Sequence, residues 1–323
     1  MTALTTVTAA RHAMATRFEI LLHGENPVRL RAAAEEALDE IERLDAQLSP
    51  FRPGSEISRL NAHAGQRLLR VEPGLFALLQ QARRLSLETD GAFDLTVGPL
   101  MDCWGFHSRN GEGHQEPGRA PDPETIAAAL TLTGMEKLLL DESQSAAGLA
   151  LAGMRLDLGA YGKGWAVERA AAILREAGVT SALIHGGTST VCAIDTPPYA
   201  DAWNIALEKP DVARRQRFWS RLTALDNSRS DDNIFAVIPL KNEALSVSAT
   251  WGREVEIIGP ESHSSHVIDP RSGHPVPGAT MAAVVLPLAS ETDAFSTALL
   301  ITGSSGNDTI QSLRPQMRAF LVS

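Results

Sequence analysis

Residues 156–187 read LDLGAYGKGWAVERAAAILREAGVTSALIHGG, and this stretch decides how the rest of the chain is interpreted. It opens with a strand end and continues into a turn in which three glycines surround Lys163. A helix is indicated by apolar residues at i, i+3, i+4 and i+7, namely Val167, Ala170, Ala171 and Leu174. Gly178 stands where a helix C-cap is expected, and residues 182–184 predict the next strand. The free N–H groups and the dipole at the start of this helix favour an anion such as a phosphate.

The glycine spacing of this turn matches no common nucleotide fingerprint. It is neither GxGxxG nor GxxxxGK[ST], which disfavours a dinucleotide-binding domain or a P-loop NTPase of the usual kind. Taken by itself, the turn favours a plain strand–turn–helix connection with a solvated Lys163 over a phosphate site. The other segments of the chain have to decide between these two interpretations.

Composition and charge exclude several classes of protein. The chain has 323 residues, of which 44% are hydrophobic and 21% charged, as in a soluble globular protein with a sizeable core. Its formal net charge of −10 argues against a nucleic-acid partner. Cys103 and Cys192 are too few for a disulfide framework, so we expect both to be small core residues.

No apolar run is long enough to predict a transmembrane segment. The first twenty residues also lack an apolar signal core and a lipobox cysteine. If Met1 is the true start, we therefore expect a cytoplasmic protein. A periplasmic or membrane-anchored form would need an export signal encoded upstream.

Helical and strand-like patterns are mixed along the chain. Apolar residues at helical spacing predict helices over residues 27–48, 75–85, 124–130 and 292–301. Short apolar runs predict strands over residues 18–22, 191–194, 203–207, 235–238, 244–247, 255–258, 281–286 and 317–322. This mixture predicts an α+β fold with mixed sheets and flanking helices. We expect one domain over residues 1–323.

Residues 107–123 are the expected site of a flexible insertion. They are rich in glycine, proline and histidine and follow no secondary-structure period. Neither His107 nor His114 has a partner at metal-ligand spacing, so we expect both side chains to be exposed to solvent.

Six separated motifs occur in a fixed order and together are far more specific than any one of them. They are Met14-x-Thr16-x-Phe18, Ser55-Glu56-x-Ser58-Arg59-Leu60-Asn61, Gly91-Ala92-Phe93-Asp94-x-Thr96-x-Gly98-Pro99, Asp157-x-Gly159-x-x-x-Lys163-Gly164, His266-x-Ile268-Asp269-Pro270 and Asp293-x-x-x-Thr297-Ala298. With them the chain resembles the ApbE family of FAD:protein FMN transferases, from about residue 14 to the C-terminus. The resemblance implies an ApbE-like α+β fold with an FAD cleft between two closely joined halves.

The resemblance also implies a metal-dependent reaction. FMN is moved from FAD to a Ser/Thr hydroxyl of a target flavoprotein, AMP leaves, and Mg²⁺ sits on the pyrophosphate of the FAD. A pyrophosphate suits a hard cation with oxygen ligands. Three residues match the family's metal positions: Asp293, Thr297 and the backbone carbonyl of Ala160. Since Asp293 and Thr297 are at i and i+4, we expect them to share a helix face that lines the cleft.

Further residues are assigned to FAD by the same resemblance. Met14 and Phe51 would flank the flavin ring, although the family often has tyrosine where Phe51 stands. The expected contacts of the nucleotide and the lining of its site are Asn61, Ala92, Phe93, Asp94, Asp157, Lys163 and Ile268. His266 matches the family's histidine near the reacting phosphate, and an imidazole suits general-base activation of a hydroxyl.

Two departures from the family pattern leave alternatives open. The family usually reads N-x-G-G-D where this chain has His185-Gly186-Gly187-Thr188, and its Ser-Gly appears here as Ser248-Ala249. These departures motivate the alternative of a non-catalytic FAD-binding homologue. A further alternative implied by the resemblance is an FAD pyrophosphatase, since some members of the family hydrolyse FAD to FMN and AMP.

Overall fold

The structure is a computed structural model that describes residues 4–107, 118–209, 234–250, 254–258, 263–276 and 281–322. Strands form the centre of the fold. In chain order they are β1 Thr5–Ala13, β2 Thr16–Gly24, β3 Leu69–Arg70, β4 Gly118–Arg119, β5 Leu138–Asp141, β6 Ala146–Leu149, β7 Ala182–Gly186, β8 Thr190–Ile194, β9 Trp203–Glu208, β10 Ile234–Leu240, β11 Ala244–Ala249, β12 Glu254–Ile258, β13 His263–Ser265, β14 Met281–Leu286 and β15 Arg318–Val322.

Helices connect and cover these strands. They are α1 Pro27–Leu48, α2 Glu56–Ala62, α3 Pro73–Glu88, α4 Gly98–Cys103, α5 Pro123–Thr131, α6 Gly162–Glu176, α7 Ala289–Thr302 and α8 Ser304–Leu313, with a short 3₁₀ turn at Met135–Lys137. The start of α1 is capped by Asn26 and the start of α2 by Ser55, whose side chains accept backbone N–H groups of the first turn. None of the helices in the described ranges is both long and apolar enough to cross a membrane.

The main sheet has seven strands in the order β1-β2-β7-β8-β11-β14-β15, and every neighbouring pair is antiparallel. The β1–β2 turn contains Met14 and Ala15, both at positive φ, as a tight hairpin requires. The β7–β8 turn lies beside it, because the N–H of Gly187 donates to the carbonyl of Arg17 at 3.1 Å. Gly187 has φ +68°, and a Cβ there would lie 2.4 Å from Oγ1 of Thr16. A glycine is therefore needed for the two turns to meet.

Both faces of the main sheet are buried. On one face α1, α6 and α7 pack over alternate strand residues such as Ile184 and Val284. Serines of β11 also attach α7 to this face, since Ser246 and Thr292 share a hydrogen bond of 2.9 Å. On the other face the antiparallel pair of β9 and β10 covers the intervening residues of the sheet with a second apolar cluster that includes Leu183, Trp203 and Ile238.

Two smaller sheets complete the fold. One has the order β3-β6-β5 and the other β13-β12-β4. The observed mixture of helices and sheets is the predicted α+β class. The predicted helices and strands are all present, within a few residues at their ends.

Some elements were missed by the sequence interpretation. They are β1, β3, β4, β5, β6, β13, α2, α4 and α8. Strand β1 reads TTVTAARHA and α8 reads SSGNDTIQSL, so neither carries a clear apolar face. Of the expected insertion, residues 108–117, including His114, lie outside the described residues.

Candidate functional site

The turn between β6 and α6 is fixed by hydrogen bonds that start at Asp157. The N–H of Asp157 donates to the carbonyl of Leu95 at 2.7 Å, which joins the turn to the Gly91–Pro99 motif. Its Oδ1 accepts the N–H of Gly159 at 2.6 Å. Lys163 then folds back, and its Nζ donates to the carbonyl of Gly159 at 3.0 Å. The structure therefore brings Asp157 and Lys163 to the two sides of one turn.

Asn61 of α2 holds the residue that precedes this turn. Its Oδ1 accepts the N–H of Leu156 at 2.7 Å, and its Nδ2 donates to the carbonyl of the same residue at 3.2 Å. A single amide side chain thus pairs with both backbone groups of Leu156, as a neighbouring strand would. Asn61 therefore lies beside the turn that contains Asp157, and its predicted contact with FAD stays a prediction.

The first turn of α6 is capped from another helix. No side chain of the preceding residue, Tyr161, caps it. Instead the N–H of Gly164 donates to Oδ2 of Asp293 on α7 at 2.9 Å. A Cβ at position 164 would lie 2.4 Å from the carbonyl oxygen of Ala289, so the glycine permits this close approach of the two helices. The resulting contact joins the Lys163 motif to the Asp293 motif, 129 residues apart.

Asp293 is more deeply buried than the sequence analysis expected. Its exposed fraction is 4%, and α7 is buried on nearly all sides rather than lining an open cleft with one face. Burial raises the pKa of Asp293, while the charge of Lys163 and the hydrogen bond from Gly164 act in the opposite direction. The sequence did not reveal that α7 packs against both α6 and the main sheet, and this packing buries the helix in the core.

The residues around Asp293 fit a hard cation. Thr297 is one turn further on, and its hydroxyl donates to the carbonyl of Asp293 at 3.2 Å and shares a hydrogen bond of 3.0 Å with Ser248. Ala160 lies just before α6, whose first turn Asp293 caps. Carboxylate, hydroxyl and carbonyl oxygens are the donors that Mg²⁺ prefers. Within the described ranges no three His, Cys, Asp or Glu side chains form a metal cluster, so backbone and hydroxyl oxygens would have to contribute.

Met14 and Phe51 are linked to each other through α1. The N–H of Met14, in the β1–β2 turn, donates to Oδ1 of Asp45 at 2.9 Å. The other oxygen of Asp45 accepts a hydrogen bond from Arg52 at 2.5 Å. Phe51, the neighbour of Arg52, is 63% exposed, which leaves its ring available to a planar ligand. The structure thus places the two predicted flavin contacts on adjoining loops.

The surroundings of His107 contradict the sequence prediction. We expected an exposed side chain without a partner, but its side chain is only 9% exposed. Its Nε2 lies 2.6 Å from Oδ2 of Asp157 and its Nδ1 lies 2.7 Å from Oδ1 of Asp102. Burial disfavours the charged ring, but the hydrogen bonds to Asp102 and Asp157 outweigh it and raise the pKa of His107 to about 9. No residue spacing in the sequence indicated this cluster, because Asp157 is 50 positions away.

The motif residues Ala92, Phe93 and Asp94 lie in the protein interior, with exposed fractions of 8% or less. Asp94 accepts hydrogen bonds from the N–H and hydroxyl of Thr96 and from the N–H of Met135. Burial raises the pKa of Asp94 to about 6, although these hydrogen bonds lower it. The side chain of Asp94 therefore braces its own loop, and the predicted contact of this motif with a nucleotide stays a prediction.

His266 follows β13 and is half-buried, and the segment after it docks on α4. Ile268 is 4% exposed and packs in a small apolar cluster with Leu100 and Trp104. The indole N–H of Trp104 donates to the carbonyl of Gly273 at 2.9 Å. Helix α4 also carries Asp102, so the His266 segment and the His107 cluster both contact this helix.

Comparison with known proteins agrees with the order of motifs. The sequence profile of the ApbE family matches residues 14–321. An FAD:protein FMN transferase of Klebsiella pneumoniae is 32% identical over 247 residues, which cover 76% of this chain and 67% of that protein. An FAD:protein FMN transferase of Escherichia coli K12 is 25% identical over 333 residues, covering 96% and 88% of the two chains.

A solved structure supports the same fold. The crystal structure of the ApbE protein from Thermotoga maritima has a TM-score of 0.80 and 24% identity, covering 98% of this chain and 94% of that one. The predicted ApbE-like α+β fold is therefore confirmed. Both curated relatives are transferases, which is the predicted class of enzyme.

Proposed function

Because this chain is a transferase that belongs to the ApbE family, we propose that it moves FMN from FAD to a Ser/Thr hydroxyl of a target flavoprotein and releases AMP in an Mg²⁺-dependent reaction. The observation that supports this function best is the contact between α6 and α7. There Asp293 caps the helix that begins beside Ala160 and Lys163, and Thr297 lies one turn further along α7.

The charges at this contact suit a pyrophosphate. Lys163 is the one basic residue of the turn, and the N-terminus of α6 adds the partial positive charge of the helix dipole. Ala160, Asp293 and Thr297 would hold Mg²⁺, which would neutralise the charge that develops on the phosphoryl oxygens. A carboxylate as deeply buried as that of Asp293 is costly unless it is compensated, which favours a bound cation beside it.

The flavin would lie between two walls. Met14 supplies a thioether side chain from the β1–β2 turn, and Phe51 supplies an exposed aromatic ring from the loop after α1. Both are soft, apolar groups of the kind that pack against an aromatic ring system. Asp45 accepts hydrogen bonds from the N–H of Met14 and from Arg52, the neighbour of Phe51, and would thereby hold the two loops at a fixed distance from each other.

In the proposed reaction the acceptor hydroxyl oxygen attacks the phosphorus on the FMN side of the FAD pyrophosphate. The new P–O bond forms as the bond from that phosphorus to the bridging oxygen breaks, and AMP leaves with the bridging oxygen. His266 would accept the hydroxyl proton as general base. The products are a phosphoester of FMN with the target protein and AMP.

One experiment tests this proposal against its alternatives. The purified protein, FAD and Mg²⁺ are incubated with a candidate flavoprotein, and intact protein mass and free nucleotides are measured, with an EDTA arm as control. A target that gains the mass of FMN while AMP appears supports the transferase. Free FMN without a modified target would instead identify an FAD pyrophosphatase. Intact FAD in every tube would refute both enzymatic functions, and binding of FAD without turnover would identify a non-catalytic FAD-binding protein.

The two departures from the family pattern lie in different surroundings. Thr188 is exposed in the β7–β8 turn, next to the turn that carries Met14. Ala249 ends β11, directly after Ser248, whose hydroxyl contacts Thr297. Both positions therefore adjoin residues of the proposed site, and the same experiment decides whether the site turns over.

A further inference from the structure

The position of His107 between two carboxylates fixes its charge. Each ring nitrogen faces one carboxylate oxygen, Asp157 at 2.6 Å and Asp102 at 2.7 Å. An ionised carboxylate can only accept a hydrogen bond, so each nitrogen must donate. A neutral imidazole has a single N–H, whereas the imidazolium has two. The geometry therefore requires a protonated ring.

The cluster continues to a fourth group of alternating charge. Nη1 of Arg155 lies 2.6 Å from the other oxygen of Asp102. The order Arg155, Asp102, His107, Asp157 is thus positive, negative, positive, negative, and the charges of these four described residues sum to zero. Without His107 the cluster would carry a net negative charge in a chain whose formal net charge is already −10. Such a charge would repel the pyrophosphate of FAD.

His107 also contacts both parts of the proposed FAD site. The ring of Phe51 stands edge-on to the imidazole, with centroids 5.4 Å apart and an interplanar angle of 81°. On the other side, the carboxylate that His107 holds accepts the N–H of Gly159 in the turn before α6. One buried ring therefore touches the proposed aromatic wall and orients the proposed nucleotide turn.

We propose that His107 is a positioning residue for FAD, which as an imidazolium holds Asp157 and Phe51 in place and cancels the charge of the Asp157 carboxylate. This inference rests on the proposed function, because it concerns the same FAD site. It adds a residue that lies outside the six sequence motifs and in a segment expected to be an exposed insertion.

The inference implies a pH dependence of FAD affinity. Among the described residues, the titratable and charged groups that face His107 are Asp102 from α4 and Asp157 from the turn before α6, with Arg155 behind Asp102. Since the pKa of His107 is raised to about 9, affinity should fall as the pH rises through that value.

The test compares the FAD affinity of the wild-type protein with that of H107Q, H107R and a control, H12Q, on the exposed part of β1. Affinity is measured by quenching of flavin fluorescence at constant Mg²⁺, between about pH 7 and about pH 9.5. At neutral pH we expect H107Q to bind FAD roughly tenfold more weakly, since it loses two charge-assisted hydrogen bonds. H12Q should bind like the wild type.

The pH profile separates a charge effect from a merely structural one. Wild-type affinity should approach that of H107Q above about pH 9, whereas H107Q should show no change over this interval. H107R keeps a permanent charge, so it should bind more tightly than H107Q and lose the step near pH 9. Equal affinity of H107Q and the wild type, or the same pH profile in both, would overturn the inference.

A second readout needs no ligand. The Hε1 proton of His107, assigned by its absence in H107Q, should titrate in the NMR spectrum with a midpoint near 9. A midpoint near the ordinary value of about 6.5 would overturn the inference. The two possible failures are distinct. A wild-type protein that binds no FAD at any pH refutes the proposed function, whereas unchanged binding in H107Q refutes only the role of His107.

Discussion

Gly164 is the position where the smallest change should most disturb the proposed site. It lies in the first turn of α6 and faces α7. In Gly164→Ala the new Cβ would lie 2.4 Å from the carbonyl oxygen of Ala289 and 2.7 Å from Cβ of Asp293. The carbonyl belongs to the backbone of a buried helix and cannot rotate away. The two helices must therefore separate, which moves Asp293 away from Ala160 and Lys163.

The size of the effect follows from two opposing terms. Overpacking of this kind costs about 1–3 kcal/mol, and a contact with rigid backbone belongs at the upper end. The better helix propensity of alanine offsets at most about 1 kcal/mol, and less near a helix end. We therefore expect Gly164→Ala to lower the free energy of unfolding by about 2 kcal/mol.

Gly162 is a matched control on the same helix. A Cβ there would meet nothing closer than Cβ of Leu158 at 3.8 Å, which is ordinary van der Waals contact. Gly162→Ala should therefore leave stability unchanged or raise it by up to about 1 kcal/mol. Urea unfolding followed by tryptophan fluorescence measures both variants, and flavin fluorescence measures their FAD affinity. If Gly164→Ala proves as stable as Gly162→Ala and binds FAD as well, the close packing of α6 on α7 is refuted.

Three further variants or conditions test other parts of the site. Asp293→Ala should abolish Mg²⁺-dependent FMN transfer, measured by intact mass, and lose about 1 kcal/mol with the cap of α6; unchanged transfer would refute the metal assignment. Asn61→Ala leaves both backbone groups of Leu156 unpaired and should lower the free energy of unfolding by about 1–3 kcal/mol, with weaker FAD binding; wild-type urea unfolding would contradict this. The pKa of His107 is about 9 in the folded protein and about 6.5 in an unfolded chain, so its stabilising effect is complete below about pH 6.5 and lost as the pH rises through about 9. Thermal unfolding midpoints should show this decline in the wild type, and an equal decline in H107Q would exclude His107 as its cause.

The local part of this fold could be predicted from the sequence. Helices α1, α3 and α6 carry apolar residues at regular helical spacing, and most strands of the main sheet are short apolar runs bounded by turn residues. Signals of this kind reside in neighbouring residues, so they survive without knowledge of the tertiary fold. Strand β1 shows the limit, because half of its residues are polar and its pairing with β2 alone makes it a strand.

The candidate site was likewise predicted only in part. The order of six motifs predicted the family. The resemblance to that family then assigned Asp157, Lys163, Asp293 and Thr297 to one site. It did not predict that Asp293 is buried and caps α6, because that depends on how closely Gly164 lets two distant helices approach. Nor could the motifs show that Asn61 hydrogen-bonds to the backbone of Leu156, or that Asp94 accepts hydrogen bonds from Thr96 and Met135.

The clearest difference between sequence and structure concerns the glycine-rich turn at residues 156–187 and the histidine that meets it. The sequence by itself determined that a turn rich in N–H groups precedes a helix and carries one lysine, since these are properties of adjacent residues. Only the tertiary structure decided that His107 reaches Asp157 and that the pKa of its ring is raised there. The physical reason is that a pKa and a hydrogen bond depend on which groups meet in space, and residues 50 positions apart meet only after the chain has folded.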